Sequence, residues 1–343
     1  IGTPNGSLPD GRQSYWTNGA PVPVPCIDPT GKPFACGIDG LATKTNNGTI
    51  PEIYYRSTLL TNSDKGGSDA LTLSLTKPME HGFSGSISAT FAHSKEVSTG
   101  SSSQAWSNYN YMARTNPNEM FATTSAFDVP KSVKLSLNWD HAFFGDYRTT
   151  VSMFYSGHDG RPYSWVFGND VNGDNLSNIG AGGDLAYIPL VDDPLVNYGS
   201  ATQDQIDAFQ KFIDNDPYLS KHRGEIAGRN RAREPWVNQL DLGVQQEFPG
   251  FMKGHKSIVR LDVYNFLNLL NSDWGVTNRV SSGFYENRRL VTVAGVQNGQ
   301  YVYNLGAPGT VPWENYAVYD ASGTNPSRVV SRWSALLTLR YTF

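Results

Sequence analysis

The sequence predicts an all-β fold, an antiparallel transmembrane β-barrel, and three observations predict it. Apolar and polar residues alternate with period two through about seven separate segments. The connections between those segments are short and long by turns. The chain also ends on such a segment, SRWSALLTLRYTF (331–343), whose last residue is an aromatic. Successive side chains of a strand point to opposite faces, so each segment has one apolar and one polar face, as a wall between lipid and water requires. Only 38% of the 343 residues are hydrophobic, and no run approaches the ~18 apolar residues of a spanning helix. Helical spanning is excluded; a barrel, whose polar alternates dilute any average of hydropathy, is not.

Residues 1–66 are dense in Gly, Pro, Asn and Thr and are expected to form an extracellular loop region, with one extended stretch at EIYYRSTLL (52–60). Barrel strands and their loops fill 67–343. ALTLSLTK (70–77) places Leu71, Leu73 and Leu75 on one face, and FSGSISATFA (83–92) places Phe83, Ile87, Ala89 and Phe91 likewise, the two forming a hairpin. SVKLSLNWD (132–140) and YRTTVSMFYSG (147–157) repeat the pattern through Val133, Leu135, Leu137 and Trp139, then Val151, Met153 and Tyr155. WVNQLDLGVQQEF (236–248) and SIVRLDVYNF (257–266) make a third pair. In the last strand Trp333, Ala335, Leu337, Leu339, Tyr341 and Phe343 share one face, with Leu336 the one apolar residue opposite.

Short turns at 78–82, 144–146 and 249–255 alternate with long excursions at 93–131, 158–235 and 267–328. Outer-membrane barrels have this asymmetry, short turns periplasmic and long loops extracellular, whereas a soluble sandwich has no reason for it. Aromatics near the strand ends, Phe83, Phe143, Phe144, Tyr147, Phe248, Tyr341 and Phe343, suit the girdle at the lower interface. An odd strand count cannot close a bacterial single-chain barrel, and the chain opens without an initiating Met or a secretion signal. The expectation is the C-terminal part of a larger barrel in the bacterial outer membrane, in contact with its lipid.

The net charge of −4 and the lack of a basic block argue against a nucleic-acid partner. Cys26 and Cys36, ten residues apart across a Pro/Gly turn with no His nearby, suit a small-loop disulfide. In NDVNGDNLSN (169–178), Asp170, Asn172 and Asp174 stand at the alternate spacing that lets a tight turn point several oxygens at one Ca²⁺; the bidentate Glu of the helical calcium loop is missing, and the competing reading is an Asx-rich turn that satisfies its own backbone. TQDQIDAFQKFIDND (202–216) places Ile206, Phe209 and Ile213 on one helical face behind a Thr cap.

Arg223, Arg229, Arg231 and Arg233 could hold an anionic ligand or pair with wall acids such as Asp241 and Asp262. Trp106, Tyr109, Tyr111, Trp274, Tyr285 and Trp313 could form a ligand-stacking surface or pack the loops. No nucleophile, base and orienting group stand together, so no enzymatic activity is expected.

Several stretches in order resemble the TonB-dependent outer-membrane receptors, in particular their Oar-like branch with a carboxypeptidase-regulatory-like N-terminal domain. They are LLTNSDKGGSDALTLSLTK (59–77), GRPYSWVFGNDVNGD (160–174), DLAYIP (184–189), FIDNDPYLSKHRGEIAGRNRAREPWVNQLDLGVQQEF (212–248) and VYNFLNLLN (263–271). The terminal strand, with Trp333, Leu337, Leu339, Tyr341 and Phe343, looks like the signal read by the barrel-assembly machinery. The resemblance implies a 22-stranded barrel with a plugged lumen. It implies binding of a bulky ligand, a peptide, glycan or chelate, at the extracellular loops, and uptake energised by the periplasmic protein TonB through an upstream plug that this sequence does not contain. The rival class is an outer-membrane structural, adhesion or secretion-associated barrel without active transport.

Overall fold

The computed structural model describes residues 4–16, 22–27, 33–39, 61–174, 176–178, 181–280, 287–318 and 331–343. Seven long strands form one antiparallel sheet: β1 (Gly67–Glu80), β2 (Phe83–Glu96), β3 (Lys131–Phe144), β4 (Tyr147–His158), β5 (Val237–Pro249), β6 (Lys256–Tyr264) and β7 (Ser334–Thr342). Their order in the sheet is their order in the chain, each strand paired to the next. The stretch at 52–60 lies outside the described residues.

Register turns seven separate alternations into one surface. Directly opposed residues of an antiparallel pair share a face, and the pairs Leu73 with Ala89, Ala89 with Val133, Leu135 with Tyr155 and Tyr155 with Leu240 run across β1 to β5. Leu242 with Val263 and Val263 with Ala335 carry the row to β7. A slip of one residue in any pairing would invert that strand; none occurs along this row. Leu75 and Leu339 are 72% and 73% exposed, as suits a face turned to lipid. On the opposite face Thr72 and Thr90 share a hydrogen bond of 2.9 Å, and Arg260 grips both oxygens of Asp262 at 2.8–2.9 Å.

The height of the apolar face matches a membrane. From Trp236 to Phe248 is twelve residue steps, about 40 Å of strand, or about 28 Å of height at a ~45° tilt. At the short-turn rim Trp139 meets Phe143 edge-on at 5.6 Å, and Phe251 stacks on Tyr341 at 5.5 Å. The first short turn depends on a glycine: His81 and Gly82 have φ of 55° and 78°, the left-handed pair of a tight hairpin. A Cβ on Gly82 would lie 2.4 Å from the carbonyl oxygen of Asp140 on β3. Gly82→Ala is expected to cost about 2 kcal/mol or more, measurable as a lower midpoint for loss of the heat-resistant folded band on gels.

β6 stops at Tyr264, two residues earlier than the alternation suggests. Asn265 takes φ 52°, donates its amide to Asp241 at 2.8 Å and its side chain to Gly275 O at 2.9 Å, and so turns the chain into a short helix, Phe266–Leu270.

The three long excursions leave from the same rim, and they do not remain loops. They fold with residues 4–16 into one lobe around a five-stranded sheet, ordered Val196–Asn197, Gln300–Asn304, Asn287–Gln297, Pro162–Phe167 and Ala232–Arg233. Trp165, Phe167, Ile188, Leu290, Tyr301 and Tyr303 form its core, all but fully buried. A helix, α1 (Gln203–Asn215), closes one side. Thr202 and Gln205 cap it reciprocally, and Phe209 and Ile213 are its buried residues, on the face that the sequence spacing marks.

Candidate functional site

The lobe is the candidate site, because it sits over the rim where every long connection emerges and contains most of the singled-out side chains. Its N-terminal strap is tied down first. Trp16 donates Nε1–H to Val171 O at 2.6 Å, and its ring lies against Gly173, where a Cβ would approach within 2.8 Å. Arg12 is buried, paired with Asp10 at 2.7 Å, donating to Leu185 O at 2.7 Å, and 3.6 Å from Asp184. Residues that precede the wall are thereby joined to the second excursion.

The arginines proposed from sequence as ligand contacts are drawn into the lobe's own framework. Arg223 donates to Pro189 O and to the side chain of Gln210, both at 2.7 Å, and pairs with Asp214 at 2.7 Å, clamping α1 to the 184–190 segment. Arg229, 5% exposed, donates to Val97 O at 3.0 Å and Phe121 O at 2.8 Å and lies over the Phe121 ring. Burial, with the neighbouring charge of Arg114 adding to it, lowers the Arg229 pKa to about 10. Arg233 pairs with the buried carboxylate of Asp128 and donates to Asp128 O at 2.9 Å. Arg223, Arg229 and Arg233 thus engage loop acids and carbonyls in place of Asp241 and Asp262, while Arg231 is exposed; Asp262 holds Arg260, and Asp241 holds the Asn265 amide.

The aromatics separate into two groups. Trp106 and Tyr109 face each other at 5.8 Å, and Tyr109 underlies the Arg114 guanidinium at 4.1 Å. Trp313 stacks on Phe212 at 4.2 Å and belongs to the lobe packing. Trp274 stays 52% exposed and lines a separate pocket at the edge of the wall. Tyr285 lies outside the described residues, as do the side chains of Cys26 and Cys36, whose backbones belong to the paired strands Val22–Ile27 and Pro33–Asp39.

In the Asx-rich turn, the oxygens point at their own backbone. Asp170 accepts from the Gly173 amide at 2.7 Å, Asn172 from the Asp174 amide at 2.9 Å, and Asp174 from the Leu176 amide at 2.8 Å. Asp184, the first residue of DLAYIP, joins this turn by accepting from the Val171 amide at 2.6 Å. Burial, then the charges of Asp184 and Asp170, push the Asp174 carboxyl well above its ordinary range. The oxygens of Asp170, Asn172 and Asp174 accept amides of their own turn, which is the bonding of an Asx-rich turn, and among the described residues no group of three or more His, Cys, Asp or Glu is placed to hold a metal.

Two features had no signal in the sequence. A cavity of about 20 Å³, the size of one water, lies beside Arg229 and is bordered by Glu96, Thr99 and Asn287. Arg288, 3% exposed, is enclosed by Tyr316, Trp165, Tyr163 and Phe212 at 3.9–5.8 Å. Its four rings come from three distant segments, so no local pattern marks them.

A seven-stranded antiparallel wall with a lipid-height apolar face, short turns on one rim and a packed lobe on the other defines an outer-membrane barrel. The family model for an outer membrane beta barrel domain matches residues 13–285, and the chain belongs to that family. No curated protein and no solved structure matches it.

Proposed function

We propose that this chain supplies part of the wall and the outer lobe of a TonB-dependent receptor of the Oar-like branch, which binds a bulky peptide, glycan or chelate outside the cell and passes it inward. The observation that carries this reading is the open sheet. β1 and β7 lie at opposite ends of the strand order and, among the described residues, their outer edges are unpaired, a hazard that a barrel removes by closure. Further strands complete the wall, and the large barrels with plugged lumens are transporters. The motif resemblance supports the same reading, and so does the charged and hydroxyl-bearing inner face, suited to a polar passage. The role is binding and passage, without catalysis.

The lobe is extracellular in this reading. Ser200→Cys, in an exposed turn of the lobe, is expected to react with a membrane-impermeant maleimide on intact cells well above the unsubstituted background. Asp146→Cys, in the exposed turn between β3 and β4, reacts only after the outer membrane is permeabilised.

A structural or adhesive role is the second reading, and the internal use of Arg223, Arg229 and Arg233 favours it, since a lobe that ties these three charges to its own loops makes a rigid platform. Growth on a bulky peptide or glycan as sole nutrient separates the two. The receptor reading expects growth to fail when either this gene or the gene for the periplasmic energising protein is deleted. The adhesive reading expects growth to survive both deletions while retention of a surface partner is lost with this gene alone.

A further inference from the structure

The pocket at the edge of the wall has a chemistry that the receptor reading does not use. It measures about 410 Å³ and is lined by Trp236, Asn238, Leu267, Asp273, Trp274 and Asn278 among others, within the size range of small-molecule sites. Its place on the sheet is fixed by Gly157, which pairs with Val133 and Asn238 on the outward face. A Cβ on Gly157 would lie 2.9 Å from the Trp236 ring and 2.5 Å from the Tyr155 hydroxyl. The pocket thus opens on the lipid side of the wall at its upper rim, where the apolar face gives way to the lobe. That is the depth of lipid headgroups.

The polar groups of the pocket are only partly used. Asn238 Oδ1 accepts from the Tyr155 hydroxyl at 2.7 Å and from Trp236 Nε1 at 2.9 Å, which holds the Trp236 ring in place and leaves the Asn238 amide N–H groups over. The Asp273 carboxylate, the Asn278 side chain and Trp274 Nε1 have no partner among the described residues. Trp236 and Trp274 are 38% and 52% exposed.

Indole faces bounded by free amides and a carboxylate match the alternating C–H and hydroxyl faces of a pyranose: the rings take its apolar face, and the amides and carboxylate take its hydroxyls. No Lys or Arg lines the pocket, and the Asp273 charge repels a phosphate. We propose that this pocket binds the uncharged sugar headgroup of a glycolipid in the leaflet on the lobe side. An ordinary interfacial aromatic belt would need the indoles alone. The concave set of free acceptors and donors between them is what the belt does not account for.

The test is native mass spectrometry of the protein purified from outer membranes, in mixed micelles containing equal amounts of a hexosyl-diacylglycerol and an acyl-matched phosphatidylglycerol. The expected result is at least tenfold greater retention of the hexosyl lipid, falling to parity in Trp274→Ala and in Asp273→Ala. Both side chains are solvent-exposed, and heat-dependent gel mobility reports that the variants remain folded. Phe251→Ala, an exposed aromatic at the opposite rim, should leave retention unchanged. Methyl hexoside at the same concentration should not compete, because the headgroup is presented by its acyl chains. Equal retention of the two lipids, or equal loss in Phe251→Ala, overturns the proposal in favour of a generic belt. Displacement by methyl hexoside overturns the lipid as the source of the sugar. None of these results depends on energised uptake.

Discussion

Arg288→Ala is expected to unfold the lobe while leaving the wall assembled. The guanidinium lies 3.9 Å from the Tyr316 centroid and 4.4 Å from that of Trp165, donates to Glu314 O at 2.6 Å and to the Tyr163 hydroxyl at 3.1 Å, and is 3% exposed. Truncation removes a cation from several ring faces at once and leaves a cavity among large aromatics. Desolvated cation–π contacts and core cavities together place the loss at about 3–5 kcal/mol. Arg288→Lys should recover less than half, because an ammonium cannot lie flat against the rings or donate from a planar fork. The measurement is denaturant melting followed by Trp fluorescence, beside limited proteolysis within residues 158–235. Heat-dependent gel mobility of the wall should be kept. A lobe that melts at the same denaturant concentration with and without Arg288 would mean that the cage is decorative.

The second large effect lies in the wall. Leu337 faces outward from the middle of β7, opposite Leu261, whereas Thr338 faces the polar side opposite Arg260. Leu337→Arg puts a charge near mid-height of the lipid band, which costs about 2–4 kcal/mol. Thr338→Arg should cost much less, with repulsion from the opposed Arg260 its main penalty. Refolding yield into lipid vesicles, read as the heat-sensitive shift on gels, should fall sharply for the first variant and little for the second. Two adjacent residues with opposite tolerance to one substitution define a face.

What the sequence shows and what it hides follow from burial. The wall is legible because lipid lies on one side and water on the other, so Leu240, Leu242, Val244 and Phe248 alternate with polar neighbours. The strands run past the alternation, β1 from Gly67 to Glu80 against a reading of 70–77, because pairing continues where the side chains leave the lipid. In the lobe the signal disappears. Pro162–Phe167 is buried at every position, so both faces are covered and no period remains. Its partner Ala232–Arg233 is some seventy residues away. The helix is the exception: Thr202, Gln205, Ile206, Phe209 and Ile213 make a cap and a face within one short window. Arginine roles are the least legible. Asp128 is as plausible a partner for Arg233 as Asp241 or Asp262 until the fold brings one of them near.

The central claim is that seven alternations merge into one lipid-facing surface. It is tested most directly by spin labels placed singly at residues 238 to 248 of β5 in the protein reconstituted in bilayers. Collision with oxygen, which concentrates in lipid, should be high at 240, 242 and 244, and collision with a water-soluble nickel chelate should be high at 239, 241 and 243, in a strict period of two. Labels at all positions favouring the nickel chelate, or a profile with no alternation, would contradict the account.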